Sequence, residues 1–240
     1  QMSMDRGQWV MLQNCHLCPS WMPRLEALVE QYNPDKMHRD YRLWLTSMPS
    51  EKFPVSVLQN SVKMTLEPPR GVRLNLNGSY NDFTDAYLES QGDKTRAFKK
   101  LLYGACFFHA MLQDRRKFGP LGFNIRYEFT TGDLKCCIMQ LEIFLARYEQ
   151  VPYDVLVQLF GGIHYGGRLT DDWDRRLVMV TLAGVVNAGL MDDTFPLAPG
   201  EGYQSPPPGS VDDYRQVISR LPLQPHPNVF GLHENADISC

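Results

Sequence analysis

Two short apolar runs, each ending in polar residues, flank a helical pattern near the start of the chain. The runs are residues 9–14 (WVMLQN) and 41–47 (YRLWLTS), and the apolar positions 21, 22, 25, 28 and 29 between them follow the helical period. Strand, helix and strand in this order predict a βαβ unit with parallel strands buried on both faces. Asn14 and Ser47 would then lie beyond the carboxyl ends of the strands, where open parallel sheets bind their ligands.

Helical patterns joined by loops dominate the rest of the chain. Residues 55–60 predict a short helix and residues 62–67 a short strand or extended segment. A domain boundary is expected within residues 67–80, where prolines and a glycine interrupt the pattern. Thr131 or Asp133 is expected to cap one of the later helices. The later helices that the apolar spacing predicts are residues 95–116, 131–148, 151–160, 170–187 and 211–221.

The helix of residues 95–116 has the strongest pattern, a single broad apolar stripe followed by a basic turn. His109 lies on this stripe, so we expect a core histidine with its hydrogen bonds made rather than a metal ligand. The proline-rich residues 189–209 predict a loop. The mixture of prolines and apolar residues in 225–240 predicts a tail that lies along a surface.

Composition limits the classes of protein to which the chain could belong. With 240 residues it can form one large or two small domains, and 43% apolar with 21% charged residues is typical of globular proteins. The net charge of −3 gives no indication of a nucleic-acid or membrane partner. No apolar run approaches the roughly 20 residues that span a bilayer, and no signal-peptide pattern is present. The six cysteines lack the spacing of a secreted disulfide framework, which favours a reducing cytosolic compartment.

Candidate sites for metals and nucleotides are weak in this sequence. Cys15 and Cys18 are spaced like half of a zinc site, but Cys136 and Cys137 are adjacent rather than spaced, so we expect no metal. A P-loop needs Gly-x-x-x-x-Gly-Lys-Ser/Thr, which does not occur, and the glycine-rich residues 161–168 lack the lysine and the hydroxyl. Neither predicted strand ends in paired acidic residues that could hold Mg²⁺. We therefore expect no catalytic residue and no cofactor in this segment.

Six motifs, in order along nearly the whole chain, resemble the dynein heavy chain. They are GQWVMLQNCHL (7–17), RLWLTS (42–47), KMTLEPPRG (63–71), KFGPLGFNI (117–125), YGGRLTDD (165–172) and FGLHENAD (230–237). The residues of these motifs resemble those of axonemal heavy chains, particularly of the inner-arm type, more closely than those of cytoplasmic heavy chains. The resemblance corresponds to the sixth and last AAA+ module of the motor ring.

The fold that this resemblance implies is α/β plus all-α: a partial parallel AAA+ sheet with the fourth and fifth strands, followed by a helical lid. Residues 1–80 would be the C-terminal half of the large α/β subdomain and residues 81–190 the lid. Residues 191–240 would hold a proline-rich loop, a short helix and the start of the C-terminal region. AAA+ sheets order their strands 5-1-4-3-2, so the two strands here should run parallel about 9–10 Å apart without pairing. If the segment instead folds alone, the two strands could close together at about 4.8 Å, and direct pairing would contradict the arrangement of a module cut from an intact motor.

The function that the resemblance implies is a non-catalytic, structural AAA+ ring module of an ATP-driven, minus-end-directed microtubule motor of cilia and flagella. ATP and Mg would belong to other modules of the parent protein. Expected partners are the neighbouring AAA+ modules and the C-terminal region of the same heavy chain, with dynein complex subunits and the microtubule contacted through other regions. The expected location is the cytoplasm, in the axonemal cytoskeleton. One alternative is half of a nucleotide-binding ATPase module whose P-loop lies upstream of residue 1, and another is an independent scaffold domain.

Two residues keep a nucleotide-related interpretation. By resemblance, Asn14 ends the fourth strand, where active relatives carry a polar residue that senses the γ-phosphate; alternatively, its amide caps the following turn. Arg168 follows glycines that allow close backbone approach, so it could reach a neighbouring module or a vestigial pocket. Alternatively, Arg168 pairs locally with Asp171 or Asp172. A solvated charged face is expected to consist of Asp172, Asp174, Arg175 and Arg176.

Overall fold

The computed structural model describes residues 2–64, 69–200 and 202–238. It forms two compact units, one of residues 1–67 and one of residues 68–240. The two strands within the described ranges are β1 (Trp9–Leu12) and β2 (Arg42–Leu45). The helices there are α1 (Met2–Asp5), α2 (Met22–Glu30), α3 (Val55–Gln59), α4 (Val72–Tyr80), α5 (Asp85–Leu88), α6 (Thr95–Arg115), α7 (Thr131–Arg147), α8 (Tyr153–Val157), α9 (Asp172–Val185) and α10 (Val211–Arg220).

The first unit contains the predicted parallel strands, and they pair directly. Trp9 lies opposite Arg42 and Leu12 opposite Leu45 in the register. The expected separation of about 9–10 Å is therefore wrong. The described part of the chain offers no third strand, and the facing edges satisfy their backbone groups with each other. The pairing matches the other expectation, that of a segment folded alone, because no third strand of the described chain lies between the two strands.

Burial of the strand pair is one-sided, whereas the sequence predicted burial on both faces. Leu12 and Leu45 pack against the small core that includes Met22 and Leu25 of α2. On the other face Trp9 is 68% exposed, and its ring centroid lies 5.6 Å from that of Trp44. The two faces differ because the core of this unit packs against one of them only.

The segment that follows α3 has no regular structure where it is described. Residues 62–64 belong to neither a helix nor a strand. The other half of the predicted extended segment, residues 65–67, lies outside the described residues.

The second unit is built around α6. Every residue from Phe98 to Leu112 is buried, so the helix is covered on all sides rather than along the single predicted stripe. The cause is that α4, α7, α9 and the turn of Ala188–Met191 all pack against it. The resulting core extends along the chain from Val72 to Ala236.

The helix boundaries of this unit follow local capping signals. Thr130 rather than Thr131 is the N-cap of α7, and Asp133 completes a capping box with it. α8 ends at Val157, and the π-helix Gln158–His164 follows it directly, whereas the sequence predicted a single helix to residue 160. Asp171 caps α9 by accepting the N–H of Asp174, in agreement with the predicted start.

The C-terminal segment belongs to the same core. α10 packs on α4, and Tyr214 and Ile218 are buried with it. Phe230 is 4% exposed, and its ring meets that of Phe118 edge to face at 5.2 Å. The predicted surface tail is therefore wrong for this part, because its apolar residues fill the core beside α6. The structure divides the chain after residue 67, at one end of the expected range of 67–80, and groups α4 with the second unit rather than with residues 1–80.

Candidate functional site

The carboxyl ends of β1 and β2 are joined through backbone groups. Asn14 adopts a left-handed conformation (φ 55°, ψ 45°), and its N–H donates to Thr46 Oγ1 at 2.9 Å. The N–H of Cys15 donates to Thr46 O at 2.9 Å. The exposed amide of Asn14 makes no capping hydrogen bond to the turn of Cys15–Leu17, so the capping interpretation is wrong. The hydroxyl and the carbonyl of Thr46 order this edge, and no sequence pattern indicated this role for Thr46.

The polar side chains beyond β2 also make local contacts. Ser47 Oγ donates to the carbonyl of Met48 at 2.8 Å. The N–H of Met48 donates to His16 Nδ1 at 3.0 Å, which brings the turn after β1 and the loop after β2 together.

The cysteines after β1 lie in different environments. Cys15 is buried, and burial raises the pKa of its thiol. Cys18 is exposed three residues later. In the described parts of the chain, no three His, Cys, Asp or Glu side chains come together as metal ligands.

Arg168 pairs with the start of α7 rather than with α9. Its Nε lies 2.9 Å from Asp133 Oδ1, and its Nη2 lies 3.5 Å from Thr130 Oγ1. The predicted pairing with Asp171 or Asp172 is therefore wrong. Asp171 is already engaged, because it caps α9 and accepts the Asn124 side-chain amide at 3.0 Å. Hydrogen bonds, first of all from the Asp174 backbone, lower the pKa of Asp171.

The glycines before Arg168 allow the close backbone approach that the sequence predicted. A Cβ at Gly166 would lie 2.6 Å from the carbonyl oxygen of Gly161, which is too close for any side chain. A Cβ at Gly161 would lie 2.5 Å from Met179 Sδ on α9. The π-helix therefore packs tightly on α9 and turns back on itself before Arg168.

Asp174 is not part of a solvated face. It is 3% exposed, and its two carboxylate oxygens accept the N–H groups of Asn124 at 3.0 Å and Ile125 at 3.2 Å. The prediction for this residue is wrong because a loop distant in sequence covers it. The only sequence signal was its place in the first turn of a helix, where Asp is common for other reasons.

His109 is a core residue, as the sequence indicated. It is 1% exposed, and its Nδ1 lies 2.9 Å from the hydroxyl of Tyr165. Its Nε2 is buried without a hydrogen-bond partner in the described structure, so the histidine is only half satisfied. Burial lowers the pKa of His109 to about 4.

Apolar side chains are exposed along α7, α8 with its π-helix, and α9. A groove of about 530 Å³ is lined by Val155, Leu159, Gly162 and Ile163, with Asp154 and Gln158 among its polar lining residues. The other large apolar residues exposed on these helices are Met139, Ile143, Trp173 and Val180. Such a concentration of apolar surface is typical of protein contact faces rather than of catalytic sites.

Comparison with protein families assigns both parts of the chain. The family described as "Dynein heavy chain region D6 P-loop domain" matches residues 1–65, and "Dynein heavy chain AAA lid domain" matches residues 98–236. No described helix has the length and apolarity required for a membrane span.

Similar proteins cover almost all of the chain. Dynein axonemal heavy chain 1 of Mus musculus is 55% identical over 99% of this chain, and the match spans 6% of that protein. Dynein axonemal heavy chain 12 of Mus musculus is 48% identical over 99%, spanning 8% of its own length, and dynein axonemal heavy chain 3 of Homo sapiens is 51% identical over 97%, spanning 6%. The chain belongs to the dynein heavy chain family.

Proposed function

We propose that this chain is a structural, non-catalytic part of the motor ring of an axonemal dynein heavy chain, in an ATP-driven microtubule motor with minus-end-directed movement. The observation that supports the proposal is the sequence identity of 48–55% with axonemal heavy chains over nearly the whole chain. In this proposal the first unit is the C-terminal half of the large AAA+ subdomain. The second unit is the lid with the start of the C-terminal region.

The non-catalytic role is supported by how the candidate nucleotide residues are used. The sequence contains no Gly-x-x-x-x-Gly-Lys-Ser/Thr run. Arg168, which in one interpretation could reach a neighbouring module or a vestigial pocket, is held by Asp133 at 2.9 Å. Asn14 contributes its backbone to the end of the strand pair. Phosphoryl transfer needs a phosphate cradle, a metal-binding acid and a positioned water, and none of these roles has a candidate here. ATP and Mg²⁺ act in other modules of the parent protein.

A ring module acts through its contact faces, and α7–α9 supply one. The exposed apolar residues on these helices fit docking on a neighbouring module or on the C-terminal region of the same heavy chain. Dynein subunits and the microtubule are contacted by other regions. The names of the similar proteins support a location in the axoneme of a cilium or flagellum.

Thermal unfolding with and without nucleotide distinguishes this proposal from the ATPase alternative. The sample is the heavy chain in which the P-loops of the other modules are disabled, so that ATP can act only on the sixth module, and the unmodified heavy chain serves as the positive control. Saturating Mg·ATP should leave the melting temperature of the sixth module unchanged, because a ligand stabilises only the state that binds it. A rise of several degrees, matching the control, would favour the alternative, a nucleotide-binding half-module.

A further inference from the structure

The chain enters the second unit through Pro69–Gly71, and three polar contacts hold this short segment. The N–H of Gly71 donates to Asp114 Oδ1 at 2.6 Å. The side-chain amide of Asn75 donates to the carbonyls of Pro69 at 2.6 Å and Gly71 at 3.0 Å. Asp114 and Asn75 are 3% and 5% exposed, and the two bonds to Gly71 are buried, whereas the bond to the carbonyl of Pro69 is partly buried.

The backbone of Gly71 is also fixed by its surroundings. It has a φ of +100°, which side-chain-bearing residues rarely adopt, and a Cβ there would lie 2.7 Å from the carbonyl oxygen of Leu223. The next residue, Val72, is fully buried. Gly71 is therefore enclosed by the end of α6, by α4 and by the chain that follows α10, whereas Pro69 and Arg70 are exposed.

The last turn of α6 holds a second segment as well. Arg115, next to Asp114, donates from Nε to Gly122 O at 2.7 Å and from Nη1 to Phe230 O. Lys117 Nζ lies 3.3 Å from Asp114 Oδ2 and 5.2 Å from the centroid of the Phe230 ring. The entry segment and the C-terminal segment are thus attached to one turn of the central helix.

We propose that Asp114 and Asn75 form a clamp that fixes the entry of the chain into the second unit, so that force carried along the chain passes directly into α6. A segment held by buried hydrogen bonds on both its N–H and its C=O groups cannot extend until those bonds break. The force-bearing role rests on the proposed function as a ring module, whereas the clamp itself does not.

Hydrogen exchange at single amides tests the clamp on the full 240-residue chain. The Gly71 amide should exchange about 100-fold or more slower than an unprotected amide, because its release requires opening of a buried bond. Asp114→Leu removes the acceptor and should accelerate this exchange about tenfold or more while α6 amides stay protected. Asp82→Asn is the matched control, since Asp82 is exposed and contacts Lys135 instead.

Asn75→Leu is the second variant, and it removes both side-chain bonds to the carbonyls while keeping Asp114 and the backbone bond from residue 75 to Gly71 O. It should also release Gly71, so failure of Asp114→Leu to fold does not remove the test. An unprotected Gly71 amide in the unmodified chain, or unchanged exchange in both variants, would overturn the clamp.

The force-bearing role is tested in the assembled motor that carries Asn75→Leu. Microtubule gliding should slow about twofold or more while basal ATPase activity stays normal, since the clamp contacts no nucleotide. Unchanged gliding despite a released Gly71 amide would overturn the force-bearing role but would not contradict the clamp itself. A thermal shift with ATP would overturn the non-catalytic function and would leave the exchange result intact.

Discussion

His109 gives the second unit a specific sensitivity to acid. Its pKa is about 4 in the folded state because burial disfavours the charged ring, against an ordinary value of about 6.5 in the unfolded chain. Above pH 6.5 neither state is protonated, so this histidine leaves the free energy of unfolding independent of pH. Between pH 6.5 and pH 4 only the unfolded state gains the proton, and stability falls. Below pH 4 both states carry the proton, so His109 causes no further loss of stability.

The expected loss from His109 alone is about 2–3 kcal/mol between pH 7 and pH 4.5, since one pKa unit corresponds to about 1.4 kcal/mol. Urea unfolding of the unmodified chain and of His109→Asn at both pH values measures it. Asn keeps a partner for Tyr165 but cannot be protonated, so the pH-dependent loss should be smaller in the variant. His233→Gln, at an exposed position, is the control and should behave like the unmodified chain. Equal losses in all three proteins would contradict the prediction.

Asp133 organises the start of α7 more than any residue near it. It accepts the N–H and the hydroxyl of Thr130 at 2.8 and 3.0 Å, and it also binds Arg168. Asp133→Ala should lower the free energy of unfolding by about 1–2 kcal/mol, because it removes the capping box and leaves Arg168 without its partner. Asp172→Ala, at the position that the sequence favoured as a partner of Arg168, should cost less than about 0.5 kcal/mol. Chemical denaturation of both variants gives the comparison, and equal effects would argue against the observed pairing.

At the scale of elements, α6 shows which structural features an apolar pattern can predict and which it cannot. The period located the helix to within one residue of its observed end, because amphipathic spacing and caps are local signals. Lys99 and Lys100 lie off the apolar stripe, yet both are buried. The proline-rich segment covers that side of the helix, where Gly209 O accepts a hydrogen bond from Lys99 and Ser205 Oγ accepts one from Lys100. Which other segments cover a helix is a tertiary property that its own sequence does not contain.

Lys100 attaches the proline-rich segment to α6. Its ammonium group lies 2.6 Å from Asp193 Oδ1 and 3.0 Å from Ser205 Oγ, and the side chain is fully buried. Lys100→Met keeps the volume but removes these contacts and should cost about 2 kcal/mol, since Ser205 loses a buried partner while Asp193 remains hydrated. Lys135→Met, which removes a pair with both side chains more than 60% exposed, should cost less than about 1 kcal/mol. The midpoints of urea unfolding, compared at equal slope, measure the loss of stability in each variant. Similar losses would contradict a stabilising role for the buried contacts of Lys100.

At the scale of the whole molecule, sequence patterns predicted the fold class and most of the helices, whereas α4, α5 and the contacts between distant segments were missed. The strand pairing depended on which backbone edges were available, and burial of Phe230 depended on space beside Phe118. The candidate site shows the same limit. Arg168 and Asn14 were singled out for nucleotide-related roles, but the partners that the structure gives them, Asp133 and Thr46, lie 35 and 32 residues away. Ordered motifs identified the family because they require no knowledge of such contacts.

The two units should unfold in separate steps. The first has a small core centred on Cys15, Met22 and Leu25, whereas the core of the second extends from Val72 to Ala236. Because burial of apolar surface is the main stabilising term, the first unit should unfold at lower urea concentration.

Two spectroscopic signals can follow the steps separately. Three of the four tryptophans lie in the first unit, and the fourth, Trp173, is 72% exposed, so fluorescence reports mainly on the first unit. Far-ultraviolet circular dichroism reports mainly on the second, which holds α4 to α10. In Trp173→Phe, the fluorescence midpoint should therefore precede the dichroism midpoint. Leu25→Ala should shift the fluorescence midpoint alone, because Leu25 is 1% exposed in the first core. Coincident midpoints that move together in Leu25→Ala would instead mean that the two units unfold as one cooperative body.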